Sequence, residues 1–304
     1  MLPMTLRQME VFTAVVRHGS TVAAAGALGL SQSATSAALQ QLERVLGTTL
    51  FERQGRALVL NAAGRTLLPQ ARNLLEQAQH LALSVGAANA STQPVRLHLA
   101  ASSTIGNHVL PLVLARLRAT HPHINVDLRI GNTEQVEHAV LALEVDLGLT
   151  EGPCRTPALL RQPWYQDELL LVARPGSRWT QNGCDIAALR QAHWLLREPG
   201  SGTREVLEHS LLPLLQEWPS TCSTLGSSEA IARCAALGLG IGCLSRVLVQ
   251  PWLDRDELVI LPSLLPPLRR DFALLQRPAH TLTAPLSAFV QACHAHGQLH
   301  QDPN

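Results

Sequence analysis

The chain has 304 residues, enough for two or three compact units, and its 46% hydrophobic and 15% charged content excludes a disordered polymer. The net charge of +1 conceals an asymmetry: up to Thr92 there are seven arginines against four acids, and beyond it seventeen against nineteen. The basic surplus therefore sits at the N-terminus, where it suits a polyanionic partner. Apolar runs stop short of the roughly 18 residues that a membrane span needs, so no membrane role is expected. The N-terminus carries no export signal, and the expected location is the cytoplasm. The six cysteines (154, 184, 222, 234, 243 and 293) are scattered with no Cys-x-x-Cys pair. They are expected to be reduced, partly buried small hydrophobes, with a redox-sensing pair as the alternative.

In chain order, residues 1–61 form a compact helix-rich zone. Ser20 or Thr21 is placed to cap a short helix carrying Val22 to Leu28, Gly29 permits a sharp turn, and Ser31 caps the next helix. In that helix Thr35, Leu39, Leu42 and Leu46 recur on one face, while Gln32, Ser33, Ser36 and Gln40 fall on the other. A short helix, a tight turn and a helix whose exposed face begins with small hydrogen-bonding residues describe a helix-turn-helix. Glutamine can pair with adenine, and serine can bond bases or phosphates. "LFERQGRALVLNAAG" then reads as a wing: two short strands about Gln54-Gly55, with Arg53 and Arg56 set to reach phosphates or a minor groove. The bland alternative is a solvated helix bundle with polar caps.

Residues 62–94 read as one long helix followed by a polar hinge, "GAANASTQP". Leu67, Ala71, Leu74, Ala78, Leu81 and Val85 recur at alternating spacings of four and three, the seam of a coiled coil, which points to a homodimer. The alternative is a helix lying on its own domain. From residue 95 to 304 strands alternate with helices: "VRLHLAAS", "LPLVLARLRATHP", "INVDLRIGN", "TEQVEHAVLALE" and "VDLGLTEG". A second run holds "HWLLREPGSGTREVLEHSLLPLL", "CSTLGSSEAIARCAALGLGIGCLS" and "ELVIL". That order predicts parallel sheets with helices on their faces, in two lobes with a cleft between them: about 95–165 with 268–304, and about 166–267.

The stretch "AAGALGLSQSATSAALQQLERVLGTTLFERQGRALVLNAAG" resembles the DNA-binding domain of the LysR-type transcriptional regulators. The residues that carry the likeness are Ala24-Ala25, Ser31-Gln32, Leu42-Glu43, Leu46-Gly47, Leu50-Phe51-Glu52-Arg53 and Ala63-Gly64. The linker helix and two-lobed domain extend it to the whole chain. One position departs: after Ser36 the family commonly carries Arg, and here stands Ala37. The resemblance implies a winged helix-turn-helix, a linker helix and a C-terminal α/β domain like the periplasmic solute-binding proteins. It further implies binding of double-stranded operator DNA as a homodimer or homotetramer, a small-molecule effector in the cleft and contact with RNA polymerase.

The sequence supplies places for such an effector independently. "SSTIGN" follows a strand and opens a helix, with Ser102, Ser103 and Thr104; "EPGSGTRE" does the same with Ser201, Gly202 and Thr203, and "GSSEA" with Ser227 and Ser228. Thr150 and Glu151 end a strand facing the same cleft. Free backbone N–H groups, hydroxyls and helix dipoles favour a small oxyanion, while simple N-capping is the competing reading of each. Glu151 and Glu198 fit an anion site only if they point away or meet a protonated group. "ASSTIGNHVLP", "GNTEQVEHAV" and "REPGSGTRE" look most like the YeiE-like branch, with weaker likeness to the cysteine-regulon and carbon-fixation regulators. In the cysteine-regulon relatives, sulfate-binding hydroxyls correspond to Ser102, Thr104, Thr150 and Ser201, with Ser for Thr at two of them. The implied effector is sulfite, sulfate or a related anion, with an organic metabolite as the alternative.

No enzyme, cofactor or metal site is expected. "GLGIGC" lacks the spacing of a dinucleotide fingerprint, and "PGSGT" is not a hydrolase elbow. Cys293, His294, His296 and His300 read as solvated neighbours on a terminal helix. The competing classes are a solute-binding protein or an α/β enzyme with an N-terminal appendage.

Overall fold

The computed structural model describes residues 4–55, 57–85, 94–181, 185–219, 221–262, 266–278 and 282–299. The chain divides into two compact units, Met1–Gln93 and Pro94–Asn304.

The first unit opens with α1 (Leu6–His18), whose N-cap Thr5 forms a capping box with Gln8. Ser20 caps α2 (Thr21–Leu28), and Ser31 caps α3 (Gln32–Leu46), its hydroxyl accepting from the Ala34 N–H at 3.2 Å. Gly29 sits at φ +65° between them, a left-handed bend that ends α2 at little steric cost. Met9, Phe12, Val15, Ala24, Leu39 and Leu42 interlock in the core. The strands β1 (Phe51–Gln54) and β2 (Ala57–Leu60) pair antiparallel as the wing. Two contacts seat it: the Glu43 carboxylate accepts from the Leu50 N–H at 2.8 Å, and the Leu58 N–H reaches the Gly19 carbonyl at 2.9 Å.

Helix α4 (Ala62–Val85) follows, and its heptad stripe divides. Ala71 is 1% exposed and Leu67 is half-buried, both against the domain's own core, whereas Leu74 is 42% exposed. The first turns of the stripe are thus covered within the domain rather than left for a partner, because α1 packs alongside them. The side chains of Leu81 and Val85, and the hinge at 86–93, lie outside the described residues.

The second unit contains β3 (Val95–Ser102), a π-helical turn at Ile105–Val109 leading into α5 (Leu110–Thr120), β4 (Ile124–Gly131), α6 (Thr133–Leu141) and β5 (Leu147–Glu151). Then come β6 (Leu160–Ala173), α7 (Arg178–Gln181), α8 (Ile186–Arg190), β7 (Trp194–Arg197) and α9 (Gly202–Leu215). The chain continues through β8 (Cys222–Leu225), α10 (Ser228–Ala236), β9 (Ile241–Ser245), α11 (Arg246–Leu253), β10 (Val259–Ile260), β11 (Leu268–Gln276) and α12 (Ala284–Leu299).

The sheet is mixed, which corrects the expectation of parallel sheets alone. Its order is β4-β3-β5-β11-β6-β9-β7-β8, with β10 on β6. The pairs β3/β4, β3/β5, β7/β8 and β7/β9 are parallel, as crossover helices require, but β6 and β11 run antiparallel to each other and to their neighbours. These two long strands join the lobes. Trp164 and Phe272 belong to the core of the first lobe, and Leu169 and Leu268 to a core of the second.

Of the described cysteines, Cys154, Cys234, Cys243 and Cys293 are buried or half-buried as expected, and Cys222 and the neighbours on α12 depart from expectation. Cys222 is exposed, while Cys243 and Cys293 are fully buried, and burial pushes the Cys243 thiol up to about 12. On α12, Cys293 and His296 are buried rather than solvated, and His294 bonds Gln162. Among the described residues no group of three His, Cys, Asp or Glu is placed to hold a metal. Cys184 and His300 lie outside them.

Candidate functional site

Two places carry chemistry. On α3, Gln32, Ser33 and Gln40 are exposed and Ser36 is half-buried. The Ser33 hydroxyl lies 3.0 Å from that of Ser31, so it is shared with the cap. Arg53 is exposed on the wing strand β1, and Arg56 lies outside the described residues.

The second place is the junction of the two lobes. Ser102 ends β3, and Thr150 and Glu151 end the neighbouring parallel strand β5, so lobe I brings the three together at one sheet edge. From lobe II, Ser201 stands at the N-cap of α9, and Gly202 packs against the Glu151 carbonyl so closely that a Cβ there has no room. Gly202 is thus what lets the helix N-terminus press onto lobe I.

Arg270, fully buried in β11, stands between these groups. Its Nε donates to Asp167 Oδ2 at 2.8 Å, Nη1 to Thr203 Oγ1 at 2.9 Å and Nη2 to Thr104 Oγ1 at 3.5 Å, with Glu151 Oε2 at 3.3 Å from Nη2. Ser245 donates to Asp167 Oδ1 at 2.8 Å. Burial alone would lower the guanidinium pKa, but Glu151 and Asp167 outweigh it and Arg270 is held above its ordinary value. Burial dominates at Asp167, which is raised despite Arg270 and Ser245.

Three hydroxyls beside this array have no hydrogen-bond partner among the described residues: Ser102 Oγ, Thr150 Oγ1 and Ser201 Oγ, all buried. Ser201 makes no cap bond to its own helix, so capping does not explain it. Glu151 Oε2 accepts no hydrogen bond either. A buried hydroxyl left unpaired costs about 1–3 kcal/mol, so three together mark this junction as a candidate polar site.

The other candidates are engaged. Arg197, buried at the end of β7, donates to Ser103 at 3.0 Å, to Ser228 at 2.7 Å and to Glu198 at 2.8 and 2.9 Å. Ser227 is a helix cap, accepting from the Ala230 N–H, and its hydroxyl also donates to Glu229. Glu198 and Glu229 bridge the lobes: Asn132 donates to Glu198 at 3.3 Å, and Asn107 and His108 meet Glu229 at 3.0 Å. Burial would raise both carboxyls, yet hydrogen bonds at Glu229, and hydrogen bonds with the Arg197 charge at Glu198, hold them below their ordinary values. Arg246 pairs with Glu168.

Arg270, Asp167 and Arg197 are absent from the sequence reading. A signal existed for two of them: Arg270 is in phase with inward-facing Leu268, Phe272 and Leu274, and Asp167 with Leu169 and Leu171.

Residues 6–65 match the family described as bacterial regulatory helix-turn-helix protein, lysR family, and residues 90–298 match the LysR substrate binding domain. The chain is 42% identical over 289 residues to the HTH-type transcriptional regulator YeiE of Escherichia coli K12, covering 95% of this chain and 97% of that one. It is 33% identical over 299 residues to the HTH-type regulator CfxR of Cupriavidus necator, covering 96% and 90%. Among solved structures, a full-length OxyR variant of Pseudomonas aeruginosa shares the fold, with a TM-score of 0.76 at 23% identity over 97% of this chain and 98% of that one.

Proposed function

The chain belongs to the LysR family of bacterial transcriptional regulators, and from that premise we propose that its effector is a small oxyanion that still carries a proton, hydrogen sulfite foremost. It is a DNA-binding regulator with a C-terminal effector-binding domain, not an enzyme. The observation that carries the effector reading is the set of unpaired buried hydroxyls, Ser102, Thr150 and Ser201, beside the Arg270–Glu151 ion pair.

Each hydroxyl donates to an anion oxygen, and the α9 N-terminus and Arg270 favour the negative charge. Glu151 is acceptor-only when ionised, so it repels a fully deprotonated dianion and welcomes an oxyanion that offers an O–H. A ligand held by Ser102 and Thr150 from lobe I and Ser201 from lobe II stabilises one lobe arrangement over others, and so shifts the population of DNA-bound states.

On the DNA side, Gln32, Ser33, Ser36 and Gln40 address base edges while Arg53 and Arg56 address the backbone. The regulator acts in the cytoplasm as a homodimer or homotetramer on an inverted-repeat operator, with effector-dependent contact to RNA polymerase. Thermal denaturation tests the effector reading: sulfite raises the melting temperature of the wild-type protein, and Ser201→Ala loses most of that rise. An equal rise in both proteins refutes the reading.

A further inference from the structure

The buried stripe of α3, made of Thr35, Leu39 and Leu42, fixes which side of the helix faces away from the domain. At about 100° per residue, Ala37 lies roughly 15° from the direction opposite that stripe, and Ser33 and Arg44 lie beside it. Ser36, by contrast, is half-buried at the side of the helix, whereas Ala37 is exposed. The outward face therefore presents a methyl group at Ala37, with the Ser33 hydroxyl one turn before it, the Gln40 amide to its side and the Arg44 cation two turns after it. In the first two turns of α3 the outward line is held by the short side chains of Ser33 and Ala37, which let that part of the helix approach a groove floor closely.

In the major groove, thymine alone presents a methyl, and a small apolar side chain is its complement. We infer that Ala37 is a specificity-determining residue that packs on the 5-methyl group of a thymine in each operator half-site. This rests on α3 being the helix that reads DNA. Binding strength there comes from shape and apolar contact, with the neighbouring Ser33 and Gln40 supplying the hydrogen bonds. Covering one methyl is worth about fourfold in affinity per half-site.

The probe is a duplex selected by the full-length protein from a randomised pool. Each thymine of its half-sites is replaced in turn by deoxyuridine, which keeps the pairing and removes only the methyl. At one symmetry-related position the substitution weakens wild-type binding about fourfold per half-site. In Ala37→Gly the same replacement makes no difference. Comparing the two duplexes within one protein preparation cancels any loss of folded protein, and Ala37→Ser provides a second variant with the same expectation. Loss of the deoxyuridine effect in the variants supports the assignment. Indifference of the wild-type protein to every deoxyuridine overturns it, as does an undiminished effect in both variants. A Gln32→Ala protein with unaltered sequence selection overturns instead the reading of α3 on which the assignment rests.

Discussion

Replacing Thr150 by valine separates stability from sensing. Thr150 is 0% exposed and its Oγ1 has no partner among the described residues, and a hydroxyl buried without a protein partner is costly to keep. Valine keeps the branched shape and removes the polar atom. The ligand-free protein should gain about 1 kcal/mol, which raises the melting temperature of a domain this size by roughly 2–4 °C. With effector the sign reverses. At a hundred times its Kd, a ligand stabilises the wild-type protein by about 2.7 kcal/mol. Losing one hydrogen bond to a charged oxygen costs about 1.5–3 kcal/mol of that binding, so the variant keeps only about 1 kcal/mol of the ligand's effect. The two melting curves should therefore change order when saturating sulfite is added. Differential scanning calorimetry with and without the anion reads this directly. A Thr150→Val protein that is less stable without ligand, or that shows the full shift with it, refutes the claim that this hydroxyl serves a ligand.

Other perturbations discriminate among the remaining parts. Gln32→Ala should lose about 1–3 kcal/mol of discrimination between the selected duplex and one altered at a single base, whereas Arg53→Ala should weaken all duplexes alike and lower the salt slope by about one; gel shifts across a salt series measure both. Arg270→Met leaves Glu151 and Asp167 buried without their cation and should cost about 3–5 kcal/mol in urea unfolding, far more than a surface Arg→Met at Arg255. Glu229, held below its ordinary pKa in the fold, contributes stability that is present above its unfolded value and is lost as pH falls through the lowered one; Asp167, raised by burial, changes in the opposite sense. Glu229→Gln should accordingly flatten part of the acid-side fall in stability, measured by urea unfolding at a series of pH values.

The helix-turn-helix is legible in the chain because its signals are local. Ser20, Gly29, Ser31 and the Thr35/Leu39/Leu42 stripe each act within a few residues, through caps, a left-handed turn and helical period. The same holds for Ser102, Thr150 and Ser201, each of which ends a strand or begins a helix. Arg270 and Asp167 are different: they meet at 2.8 Å from positions 103 residues apart, in two strands whose antiparallel pairing joins the lobes. Strand β6 hides itself, since Pro163 and the run Gln166-Asp167-Glu168 interrupt its apolar pattern. Period also cannot name a partner. Leu67 and Ala71 lie in a coiled-coil rhythm, yet their own domain covers them. Ser103 and Ser228 looked equivalent to Ser201 in the chain, and only the reach of Arg197 across the junction distinguishes them.

The most direct test of the effector site is a calorimetric titration of the full-length protein with sulfite and with sulfate, repeated for Glu151→Gln. The wild-type protein should bind sulfite more tightly as pH falls and the hydrogen form grows, and should bind sulfate weakly at every pH. Glutamine offers an N–H donor in place of an acceptor, so the variant should lose the pH dependence and gain sulfate. Tight sulfate binding by the wild-type protein, or a sulfite affinity that ignores both pH and Glu151, would contradict the account.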